Sequence, residues 1–154
     1  MFQALRHLLQ TGTTEAARLD TDPQHAVRLA TAVLFVELMR SDFEIFFAEQ
    51  RQVLRSVERV LHLSRDEAEE LLEMAEAAAD ESVSIFEFTQ EIHNAFTPAQ
   101  KVEVMEGLWR IAFADGSLSH MEDHMLRKIK GLLHIPQKDY IAAKQRAREA
   151  VTGS

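Results

Sequence analysis

Gly107-Leu-Trp-Arg-Ile-Ala-Phe-Ala-Asp115-Gly116-Ser-Leu-Ser-His-Met-Glu122 is the stretch that decides how this chain folds. Leu108, Ile111 and Ala112 recur at helical spacing, and Asp115-Gly116 ends that helix, because glycine readily takes the positive φ of a helix stop. Ser119-His-Met-Glu122 has the form of a capping box and opens the next helix. Met121, Met125, Ile129, Leu132 and Leu133 then supply a second apolar stripe. The unit is a helix, an acidic elbow and a helix.

The same unit stands upstream. Leu34 to Asp42, Phe43 to Glu49 and Leu54 to His62 run parallel to Gly107 to Asp115, Gly116 to Glu122 and Leu126 to His134. Asp42 pairs with Asp115, Glu49 with Glu122 and His62 with His134. Two copies, at approximately 27–66 and 100–139, predict packing about a two-fold-like axis. Working outward, Pro23, Pro98 and Pro136 each stand where a first helical residue belongs, since proline there gives up an N–H that had no partner anyway. Ser64 with Glu67 and Ser84 with Glu87 form two more capping boxes. No segment alternates with period two. The expectation is an all-α, compact bundle of about eight helices, over 2–10, 23–40, 46–62, 65–79, 84–95, 98–114, 120–134 and 136–150, in a single domain spanning 1–154.

Composition narrows the function. The absence of cysteine excludes disulfides, thiolate zinc sites and cysteine nucleophiles. A net charge of −8 argues against nucleic acid as a partner, because neutralising phosphates needs clustered cations. The charge is segregated: acids crowd between Ser64 and Glu106, and bases follow Met121. No uncharged run approaches the ~20 residues of a membrane span, and the N-terminal sequence lacks a basic segment followed by an apolar one. A cytoplasmic protein that does not cross a membrane is expected. There is no glycine-rich phosphate loop and no nucleophile elbow, so no enzyme is expected either.

Phe113-Ala-Asp115-Gly116-Ser-Leu118-Ser-His-Met-Glu122, followed by Leu132-Leu133-His-Ile135, resembles the mark of the tellurite-resistance protein B (TerB-like) family: a helix closing in Ala-Asp-Gly, a hydrophobic residue two further on, an acid opening the next helix, and a downstream Leu-Leu. The resemblance covers about residues 20–150, and the first copy departs from it at Phe43, which replaces the glycine, and at Phe46-Phe47. It implies an all-helical fold with internal near-symmetry, a link to metal or oxyanion stress, membrane-associated complexes reached through a partner, and divalent cations held by the acidic turns.

Two readings of the elbows stand side by side. Asp42, Glu49, Asp115 and Glu122 are oxygen donors of the kind that calcium, magnesium or manganese takes. The spacing Asp115-x-Ser117-x-Ser119-x-x-Glu122 lacks the central glycine and terminal glutamate of an EF-hand loop. Capping alone also accounts for Ser119 and Glu122, and Asp80-x-Ser82-x-Ser84-x-x-Glu87 repeats the spacing outside both copies. The alternative to a cation is metal-independent binding of a protein partner or a second copy through an aromatic patch of Phe43, Phe46 and Phe47. His120 and His124 share a helix face but lack an obvious third ligand and read as surface residues; His62 and His134 read as helix C-terminal caps; Trp109 and Met105 read as core.

Overall fold

A helix that is apolar all round can sit only at the centre of a bundle. Helix α1 (Pro23–Arg40) is such a helix: Leu29, Ala30, Ala32 to Val36 and Leu38 are wholly buried. Thr31, buried among them, donates its hydroxyl to the Val27 carbonyl one turn back at 2.8 Å, so no polar group is stranded. The computed structural model describes residues 23–41, 47–81, 84–114 and 118–152. Around α1 stand α2 (Phe47–Leu61), α3 (Arg65–Glu81), α4 (Phe86–Ala95), α5 (Pro98–Phe113) and α6 (His120–Leu132), and α7 (Gln137–Thr152) packs on the far side of α5. The described residues thus form seven helices and no strand, an all-α bundle as expected; the helix expected over 2–10 lies outside them.

Helix α5 is the second internal helix, with Val104, Met105, Leu108, Trp109, Ile111 and Ala112 buried. It approaches α1 closely at Gly107, where a Cβ would stand 3.0 Å from Phe35 Cζ and 3.4 Å from Val60 Cγ2. The bare backbone leaves room for the Phe35 ring. Helix α3 is the opposite type: Ala68, Leu71, Ala75, Ala78 and Ala79 face in, and its carboxylates face water.

Local chemistry sets the helix ends. Thr97 caps α5 in a reciprocal box with Gln100, with Pro98 as the first helical residue. Ser64 and Glu67 form the expected box before α3. At α4 the helix begins at Phe86, Ile85 occupies the cap position, and Ser84 Oγ accepts from the Phe86 N–H at 3.1 Å. Helices α2 and α6 end in one motif. His62 and His134 take φ of 57° and 58°, and the next residues close six-to-one bonds, Leu63 N–H to the Glu58 carbonyl at 3.0 Å and Ile135 N–H to the Lys130 carbonyl at 3.1 Å. This left-handed stop usually takes glycine; here both corresponding positions carry histidine.

His134 also meets His93, which holds a buried cation. Lys101, only 8% exposed, donates from Nζ to His93 Nδ1 at 2.6 Å, and the His93 and His134 rings lie 4.5 Å apart. Burial, followed by the charges of Lys101 and His134, holds the His93 imidazole below its ordinary range, against a hydrogen bond to the Leu133 backbone. The fold therefore rejects a proton that the unfolded chain accepts below about pH 6.5. Stability is complete above that pH and falls as the solution is acidified toward the folded pKa; chemical denaturation at pH 7, 6 and 5 should record the decline, and His93→Gln should flatten it. At the crossing of α1 and α5, Gly107→Val should lower the unfolding free energy by about 1–3 kcal/mol through overpacking against Phe35, measured by the denaturation midpoint.

Candidate functional site

The elbow between α5 and α6 is built by Ser119. Its hydroxyl accepts from the Glu122 N–H at 3.1 Å, and Glu122 Oε1 accepts from the Ser119 N–H at 3.1 Å. Capping is therefore one role of Glu122. Burial is a separate matter. Glu122 is 1% exposed, whereas Glu67, in the same kind of box at the start of α3, is exposed. The difference lies in the face of the helix: Glu122, Leu126, Ile129 and Leu133 line up at helical spacing along the inward side of α6. The stripe expected from Met121 and Met125 is rotated about one position. Met121 is 53% exposed and Met125 half-buried, because the branched Leu126, Ile129 and Leu133 fill the core and carry Glu122 inward with them.

Of the other carboxylates expected at the elbows, Asp42 and Asp115 lie outside the described residues, as do Phe43 and Phe46. Glu49 and Phe47 fall in the first turn of α2, and their side chains lie outside the described set. Among the described residues no three His, Asp or Glu side chains gather closely enough to hold a metal ion, and His120 and His124 are exposed.

A second charged site was not legible. Glu106 on α5 is gripped by Arg146 Nε on α7 at 2.6 Å, by Arg110 Nη2 at 3.0 Å and by Arg59 Nη1 on α2 at 3.4 Å. Burial pushes its carboxyl up, but the Arg146 hydrogen bond and the charges of Arg110, Arg59 and Arg146 outweigh this and leave it below the ordinary carboxylate range. The group beside it, Arg59, is pulled down by burial and by Arg110. A cavity of about 620 Å³ opens here, lined also by His62, Glu103 and Asp139. A carboxylate held ionised by three guanidiniums is a brace between α2, α5 and α7 and a poor proton donor. Only the Glu106–Arg110 pair, four residues apart, is visible in sequence.

Among the described residues, no helix is long and apolar enough to cross a membrane. No curated protein and no solved structure matches the chain. The family model of tellurite resistance protein TerB matches residues 28–145, which takes in both elbows and every helix that frames them. The chain belongs to the TerB family.

Proposed function

We propose that this TerB-family protein is a non-catalytic binding module whose two elbows hold a hard divalent cation, with Asp115 and Glu122 from one elbow and Asp42 and Glu49 from the other. The observation that carries the reading is the position of Glu122, whose carboxylate is drawn inward at the elbow between α5 and α6, on the helix face that leads into the core. The donor set fits calcium, magnesium or manganese, being all carboxylate oxygen. Sequence position supports a matched pair: Asp42 and Glu49 stand seven residues apart, as do Asp115 and Glu122.

A bound ion would fix the angle between the helices at each elbow and so shape the surface offered to a protein partner, or to a membrane through that partner. Phe43, Phe46 and Phe47 flank the first elbow in sequence and would belong to that surface. Membership of a family named for tellurite resistance supports a place in metal or oxyanion stress, and the proposal puts the protein in the cytoplasm.

Calorimetry with calcium, magnesium and manganese tests the site. Saturable binding is expected, weakened at least about tenfold by Asp115→Asn and by Glu122→Gln, the second of which keeps an acceptor for the Ser119 N–H. Absence of heat above dilution at ~1 mM metal would end the proposal.

A further inference from the structure

A second cavity, of about 370 Å³, lies between α5, α6 and α7, away from the Glu106 brace. Its wall is made by Trp109, Tyr140, Lys130, Lys144, Gln137 and the Asp123–Arg127 pair, with Ile141 at the side. Lys144 Nζ stands 5.1 Å from the centre of the Trp109 ring and Lys130 Nζ 5.5 Å from that of Tyr140, and the two rings are tilted against each other at 5.1 Å. Asp123 is taken up by Arg127 at 3.2 Å. Neither lysine has a carboxylate within ion-pair reach among the described residues.

Donors dominate the accounting of hydrogen bonds. Trp109 Nε1 and Tyr140 Oη are buried and have no partner among the described residues. An indole N–H can only donate. The Tyr140 phenol is pushed up to about 12, first by burial and then by Asp123, with Arg127 opposing, so it too keeps its proton at neutral pH. Two ammonium groups therefore line a space whose one carboxylate is already paired, and an indole N–H and a phenol O–H are buried in the side chains of the same wall. Buried donors of this kind are ordinarily satisfied, and a ligand rich in acceptors would satisfy them after a small shift of the flexible lysine stems.

We propose that this cavity binds a small organic phosphate monoester, with the phosphate between Lys130 and Lys144 and the organic part against the Tyr140 and Trp109 rings. A phosphate monoester carries close to two negative charges at neutral pH and concentrates three acceptor oxygens on one atom. That matches two ammonium groups that line one small space and have no carboxylate within ion-pair reach among the described residues. The volume suits a ligand at the lower end of the small-molecule range. The site is independent of the acidic elbows and stands whether or not they hold a metal.

Trp109 is the only tryptophan and Tyr140 the only tyrosine in the chain, so both report on this one place. Trp109 fluorescence and calorimetry, with glycerol 3-phosphate added at constant ionic strength, should show one saturable event. Lys130→Gln and Lys144→Gln should each weaken it about tenfold, with unchanged far-UV circular dichroism. In the unsubstituted protein, glycerol 3-phosphate should protect Lys130 and Lys144 from acetylation while the exposed Lys128 and Lys138 react as before. The proposal is overturned by a flat titration to ~10 mM, by equal affinity in the variants, or by undiminished acetylation of both lysines. Succinate binding as tightly as glycerol 3-phosphate would overturn the assignment to phosphate monoesters.

Discussion

The contact between Phe35 and the bare backbone of Gly107 sets the register of two buried helices, and the remaining sites inherit it. With α1 fixed against α5, every other residue of α5 has its direction decided. Leu108 and Ile111 go to the core, Glu106 and Arg110 turn toward α2 and α7, and Trp109 turns toward the α6–α7 side. Lys101, at the start of the same helix, is delivered to His93 on α4. One helix thus carries a brace, a cavity wall and a buried cation, and a rotation of α5 would dislodge all of them together.

Much of this architecture is readable from residues alone, for a physical reason. Helix starts depend on local grammar, so Pro98 after Thr97, Ser64 before Glu67 and Ser119 before Glu122 announce themselves. Which face of a helix turns inward is a tertiary decision, and α6 illustrates the difficulty. The methionines and the branched residues offer two stripes one position apart, and packing selects Leu126, Ile129 and Leu133. That choice buries Glu122, which composition would place in water. The grip on Glu106 unites residues from three helices, Arg59 and Arg146 among them, so no local pattern reports it. His62 and His134 are legible as helix ends, but their left-handed backbone is not, because glycine is the residue that signals it.

Charge segregation along the chain takes on a specific meaning in three dimensions. The acids of α3 form a solvated face, as their spacing implies. The bases near the end of the chain do not all point away from the protein. Lys144, Lys130 and Arg148 stand over Trp109, Tyr140 and Phe113, where their aliphatic stems cover aromatic surface and their charges meet ring faces. Arg146 is spent on Glu106. Part of the basic end of the sequence thus serves as a lining for α5, while Lys128 and Lys138 stay exposed.

The central position of α1 has a consequence for synthesis. Its partners on α5 lie some seventy residues later, Phe35 against Gly107 being the clearest case. At ribosomal rates the last of the segments that cover the apolar helix emerges on the order of ten seconds after it, behind α3 and α4. Nascent α1 is therefore the part of this molecule most exposed to chaperone capture or to misassembly with a neighbouring chain, and the speed of translation through α2 to α4 sets how long that hazard lasts.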